Sequence, residues 1–180
     1  MILVDATTLL SLGTIGELDL LLNFDRAPAV LPAVDDEVVT EPARTNLDRF
    51  YDHDSVRAPS DGFVLSNERT ENARRETERI LGQSEVDGDF EIVLAVLVET
   101  NADRSVGVVS DDRRVRTIAN GLGAIVTGTV GVVVRAVEEG LPPNDGKDLI
   151  RAIDRHGLHM TGELRETADE LIEDAATSSE

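Results

Sequence analysis

The run Val106-Gly-Val-Val-Ser-Asp-Asp-Arg-Arg-Val-Arg-Thr-Ile118 constrains this chain more than any other. A short β-branched stretch stops at Ser110-Asp111-Asp112, and an Arg-rich amphipathic pattern begins. That sequence of patterns predicts a buried strand whose end delivers carboxylates to the start of a helix. In an open parallel sheet, the carboxyl ends of the strands are where ligands bind. The first residues, Met1-Ile-Leu-Val-Asp5, repeat the arrangement as an apolar run ending in an acid. Two strands that each end in Asp predict one shared acidic site.

The rest of the chain supplies a frame for that site. A strand over 2–4 is followed by Ala6-Thr7-Thr8 as a capping turn. Leu9, Leu10, Leu12, Ile15, Leu18, Leu21 and Leu22 then fall at helical spacing, with Gly13 and Gly16 expected to divide them into two short helices. Ala29-Val-Leu31 predicts a second strand, closed by Pro32. A helix follows from about Ala33, its apolar stripe made by Val34 and Val38 with Glu37 beside it, and Pro42 should end it. Residues 44–62 look polar and irregular, and Phe63-Val-Leu65 reads as a brief strand. From Asn67 to Leu81 the spacing of Arg74 with Glu78 and of Glu76 with Arg79 predicts an exposed, salt-bridged helix. Gly88 to Thr100 is apolar nearly all round, which predicts a buried helix with Glu91 in its first turns.

After the strand at 106–110, a helix is predicted from Asp112 to about Asn120, a strand over Ala124-Ile-Val126 and a helix from Val130 to Glu138. Strands separated by helices mean βαβ units and a parallel sheet, so the fold class is α/β. The tail predicts a helix over Lys147–Arg155 and a last one carrying Leu164, Ala168, Leu171 and Ile172, frayed from Ala175 onward. The expected organisation is a main domain over 1–140, within which 44–87 is a variable polar and helical segment. Residues 141–180 would form a helical extension rather than an independent domain.

Composition narrows the function classes. The chain carries 36 acidic residues against 17 basic ones, a net charge of -19, and its one lysine is Lys147. Disorder would explain such charge, but 41% hydrophobic residues in periodic runs argue against it. Adaptation to high salt explains it better: at molar salt the Debye length is roughly 3 Å, so self-repulsion is screened. Most acids are therefore expected to be solvated surface. No cysteine is present, which excludes disulfides, thiolate metal sites and a cysteine nucleophile. No apolar run approaches the ~18 residues that span a bilayer, and a cytoplasmic location is expected. No Lys/Arg stripe is visible, and four Phe, one Tyr and no Trp make no base-stacking platform.

Four acids stand apart from this surface population. Asp5 and Asp112 lie at strand ends, and Glu37 and Glu91 lie on helices near apolar faces. Converging carboxylates without Cys or a His pair make a hard, oxygen-only site suited to Mg²⁺ or Mn²⁺. Such an ion can activate water and neutralise a phosphodiester, and without it clustered carboxylates repel. The plainer alternative for each is a helix cap for Asp111 and Asp112, a strand end for Asp5, and solvated side chains for Glu37 and Glu91.

In this order the motifs resemble the PIN-domain ribonuclease family. Ile2-Leu-Val-Asp-Ala-Thr-Thr-Leu-Leu10 is similar to its opening strand with a strand-Asp-x-Ser/Thr pattern. Leu31-Pro-Ala-Val-Asp-Asp-Glu37-Val38 resembles the second motif, Gly88-Asp-Phe-Glu91-Ile-Val-Leu-Ala95 the third, and Val108-Val-Ser-Asp-Asp112-Arg the fourth. Gly123-Ala-Ile-Val-Thr-Gly-Thr-Val-Gly-Val-Val133 and Gly157-Leu-His-Met-Thr-Gly-Glu-Leu164 resemble a VapC-like prokaryotic subgroup with a C-terminal helical extension. The resemblance implies a three-layer α/β/α sandwich. It implies a Mg²⁺- or Mn²⁺-dependent endoribonuclease, the toxin of a toxin-antitoxin pair, with an RNA substrate, a small antitoxin partner and a homodimeric state. Carried over by position, Asp5, Glu37, Glu91 and Asp112 would hold the metal, with Thr7 and Ser110 as supporting hydroxyls. The chain departs from the family at the third motif, where Glu91 replaces the commoner Asp and Asp89 competes for the role. Asp111 beside Asp112 leaves the fourth assignment open by one residue, and Glu41 is a rival to Glu37. The alternative function is a PIN-like interaction module with weak or lost catalysis.

Other features carry less. His156 and His159 lack the further ligands a zinc site needs. Gly128-Thr-Val-Gly131 is followed by no Gly-Lys-Ser/Thr and is not a phosphate loop. Arg113, Arg114 and Arg116 could contact RNA phosphates or serve as surface salt-bridge partners. A receiver domain also clusters acids at strand ends, but it needs a lysine at a late strand end, and Lys147 lies in the tail.

Overall fold

The computed structural model describes residues 1–61, 68–156 and 160–178. Four short strands, β1 (Ile2–Val4), β2 (Pro28–Ala29), β3 (Gly107–Val109) and β4 (Ile125–Thr127), form one sheet in the order β2-β1-β3-β4. Every pairing is parallel. β-Branched and aliphatic residues fill the two central strands because both of their faces are covered: Ile2, Leu3, Val4, Val108 and Val109 are all buried. Val4 pairs with Val109, and Val109 with Thr127, so the ends of β1, β3 and β4 stand level. The ladder continues one step further, with Asp5 N–H donating to Val109 C=O at 2.9 Å and Ser110 N–H to Thr127 C=O at 3.0 Å. This register sets Asp5 beside Ser110.

Helices cover both faces, giving a three-layer α/β sandwich with a central parallel sheet. On one side, α1 (Ala6–Ile15), α3 (Ala43–Phe50), α7 (Thr129–Glu138), α8 (Pro143–His156) and α9 (Gly162–Ser178) pack on one another. On the other, α4 (Glu68–Leu81), α5 (Gly88–Thr100) and α6 (Arg113–Gly121) pack in sequence, and α2 (Pro32–Glu37) lies on α5. α5 is buried nearly all round, as its composition predicts, and Arg74 of α4 lies over the Phe90 ring, 5.4 Å from its centroid. No helix of the described residues is long and apolar enough to cross a membrane.

Three departures from the sequence expectation have physical causes. Gly13 does not break α1. The helix runs through it because α3 crosses there, and a Cβ on Gly13 would sit 3.1 Å from Ala43 Cα. Gly16, at φ +77, is the true stop, and a 3₁₀ segment over Leu18–Asn23 follows. Within the polar stretch 44–62, α3 forms because Ala43, Leu47 and Phe50 recur at helical spacing and are fully buried. In the tail, α9 continues to Ser178 instead of fraying, since Ala168, Ile172 and Ala175 are buried against the main core. The strand expected at Phe63-Val-Leu65 lies outside the described residues.

Candidate acidic site

Asp5 leaves β1 and opens α1 as its N-cap residue, but its carboxylate does not cap the helix. Oδ2 instead accepts from Thr7 Oγ1 at 2.8 Å and from Ser110 Oγ at 2.6 Å. The side chain is buried, 4% exposed, and its two hydroxyl donors replace the water it loses. Ser110 Oγ in turn accepts from Asp112 N–H at 3.1 Å, so one hydroxyl ties the ends of β1 and β3 to the start of α6.

The two acids after β3 separate completely. Asp112 caps α6, its Oδ1 accepting from Arg114 N–H at 2.7 Å and from Val115 N–H at 2.9 Å. Asp111 turns the other way and caps α7: Oδ1 accepts from Thr129 N–H at 2.9 Å, and Oδ2 accepts from the buried Thr129 hydroxyl. Thr129 Oγ1 also lies 3.3 Å from Thr8 Oγ1, which closes the contact between α1 and α7.

Glu37 and Glu91 form a reciprocal pair of caps between α2 and α5. Glu37, the last residue of α2, accepts from Gly88 N–H through Oε1 at 2.8 Å. Glu91, in the first turn of α5, accepts from Ala33 N–H through Oε2 at 2.7 Å. Each helix start is electropositive and has free N–H groups, so a carboxylate from the neighbouring helix stabilises it. Burial holds the Glu91 carboxyl above its usual range, the Ala33 bond opposes that, and the charge of Asp36 adds to it.

Asp89 occupies a different position. Partial burial, then the charges of Asp5, Asp112, Asp87 and Glu37, push its pKa up to about 6. No described residue donates a hydrogen bond to its side chain. Asp89 and Glu91 are two residues apart on α5, so they point about 200° apart around its axis at roughly 100° per residue. The structure therefore brings Asp89 into the field of Asp5, Asp112 and Glu37, and gives Glu91 to the start of α2. Asp87 is the one acid near this group that the sequence reading passed over. It caps α5 by accepting from Phe90 N–H at 2.8 Å and is held by Gln83 Nε2 at 2.7 Å. An Asp directly before a buried amphipathic run is the signal that marks it. The rival Glu41 accepts from Thr45 N–H at 3.2 Å in the turn that opens α3.

A family model described as DUF3368: PIN domain matches residues 1–174. The chain belongs to the PIN-domain family. No curated protein and no solved structure gives a match. Family membership accounts for the parallel sheet and for acids gathered at the carboxyl ends of its strands. PIN domains can bind divalent metals, and the oxygen-only chemistry around Asp89 suits such an ion. The placement does not: among the described residues no group of three or more Asp, Glu or His side chains is arranged to hold a metal. Glu37, Glu91, Asp111 and Asp112 instead each accept a hydrogen bond from an N–H at a helix start.

Proposed function

We propose that this PIN-domain protein acts as a protein-interaction module in which catalysis is weak or lost. One observation carries the reading. Glu37, Glu91, Asp111 and Asp112 are each engaged in closing a helix start, so each of these acids has a role in the fold itself. A metal-dependent nuclease needs carboxylates whose geometry converges on an ion. The homodimer and the small antitoxin-like partner expected from the VapC-like resemblance are the associations to test first. The acidic surface suits the module to a high-salt interior, and the tail 141–180 serves as part of the same body as the PIN core.

A second reading has its own support. Asp89 is pushed up to about 6 by partial burial and then by the charges of Asp5, Asp112, Asp87 and Glu37, a like-charge field of the kind that a divalent cation relieves. It assigns the protein as a Mg²⁺- or Mn²⁺-dependent endoribonuclease with Asp5, Glu37 and Asp112, together with Asp89 or Glu91, around the ion and Thr7 and Ser110 supporting Asp5. Titration calorimetry with Mn²⁺ in concentrated KCl, run beside an RNA-cleavage assay, separates the two. The module predicts no stoichiometric Mn²⁺ binding and no metal-dependent cleavage. Saturable binding with cleavage that is lost in Asp89→Asn and in EDTA would replace it by the nuclease.

A further inference from the structure

A cavity opens beside the start of α6, at the free edge of the sheet. It has a volume of about 580 Å³ and is lined by Asp111, Arg113, Arg116, Thr117, Asn120 and Val126. β4 is the last strand on that side, and Ile125 in it is 66% exposed. Ile125 N–H donates to Val106 C=O, and Thr127 C=O accepts from Ser110 N–H, so both residues spend their backbone groups on β3. Successive residues of a strand direct these groups to opposite edges, so Val126 turns its N–H and C=O outward, beside the cavity. A backbone pair left on an open edge is a template for another strand.

The cavity's cations match that template with a particular chemistry. Arg113 and Arg116 lie three apart on α6 and line the same wall. Neither guanidinium forms an ion pair or a hydrogen bond with a described residue, although the chain carries 36 acids. Arg114, between them, is engaged with Leu81 C=O at 2.6 Å. We propose that this edge docks an extended acidic segment of a partner protein, which pairs with Val126 as an added strand and sets a carboxylate between Arg113 and Arg116. Main-chain bonds supply affinity and the side-chain pocket supplies selectivity, as in other strand additions. A nucleic acid would use the arginines but not the outward N–H and C=O of Val126 or the apolar surface of Ile125. A second copy joined edge to edge would set these arginines against its own.

The proposal rests on the interaction reading and names its surface. The probe is a short fluorescein-labelled peptide alternating valine and glutamate, titrated by anisotropy in KCl against the full chain. Its valine–glutamine counterpart and a labelled oligouridylate serve as comparisons. The expected result is selective binding of the acidic peptide, weakened ~tenfold or more in Arg113→Gln/Arg116→Gln, since a charge-assisted pair is lost. Hydrogen exchange on the wild-type chain should show the Val126 amide slowed by the peptide. Absence of binding, binding indifferent to the arginines, or an unchanged Val126 amide overturns the proposal. So does oligouridylate binding with the same arginine dependence, or a wild-type dimer that dissociates in the double variant. Mn²⁺-dependent cleavage would remove the interaction reading alone, because the peptide measurement reports on this edge independently.

Discussion

Glu91 Oε2 accepts a 2.7 Å hydrogen bond from Ala33 N–H, which joins the first turn of α5 to the start of α2. In return, Glu37 at the end of α2 holds the first N–H of α5. The two helices carry the second and third acidic motifs of the chain, and this exchange fixes their separation.

A cap and a metal ligand respond oppositely to removal. Glu91→Ala leaves the Ala33 N–H without its acceptor and should cost about 1–3 kcal/mol, read as a lower urea midpoint without added metal. Glu91→Gln keeps an acceptor and should lose less. A carboxylate held only for a cation would give a gain on removal, by relief of repulsion.

Asp89 predicts a pH dependence. Its folded pKa of about 6 lies above the ordinary value of 3.8, so the folded state binds the proton more tightly than the unfolded state. Stability should therefore fall as pH rises from about 4 to about 6 and stay low above that window. Asp89→Asn cannot ionise, so it should lack this part of the decline and exceed the wild type at neutral pH. Denaturant midpoints of both proteins across that window provide the check; parallel profiles would contradict the assignment.

Asp111 is expected to be structural. Asp111→Ala removes the acceptor of the Thr129 N–H and leaves the buried Thr129 hydroxyl only Thr8 Oγ1, and should destabilise the chain by about 1–3 kcal/mol in chemical denaturation. Asp112→Ala removes an exposed cap and should cost less, about 1 kcal/mol.

Gly13 marks the crossing of α1 and α3. A leucine there would be driven into the Ala43 backbone, so Gly13→Leu should lower stability by about 1–3 kcal/mol or more in spite of its better helix propensity. A thermal melt unchanged from the wild type would show that the helices can separate without cost.

Salt should stabilise this chain. With a net charge of -19, added KCl screens self-repulsion, and the midpoint of thermal unfolding should rise from low to molar salt. A falling midpoint would mean that ion pairs such as Arg44–Asp35 and Lys147–Glu173 outweigh the repulsion.

Local pattern was enough for much of the frame. The β-branched runs ending in Asp5 and Ser110, the all-apolar α5 and the strand–helix alternation are each encoded by neighbours within a turn or a strand, and they specified an α/β chain with a parallel sheet. The Asp112 cap of α6 is equally local, with donor and acceptor within three residues, and it was the plainer alternative to the metal-ligand role expected of Asp112. α3 was hidden because its three buried residues sit among polar ones, where only the partner Gly13 reveals the packing face. The fate of the other acids depended on contacts across the chain. Asp111 finds Thr129 only because β3 pairs with β4, and Glu91 finds Ala33 only because α2 lies on α5. Asp89 acquires its raised pKa from burial and from charges that include Asp5, Asp112 and Glu37, all distant in the chain. Periodicity and spacing thus determined most of the strands and helices and placed Asp5 and Asp112 at strand ends. Tertiary packing alone decided which donors Asp111, Glu37 and Glu91 reach and which carboxylate remains among like charges, because those partners lie far away in sequence.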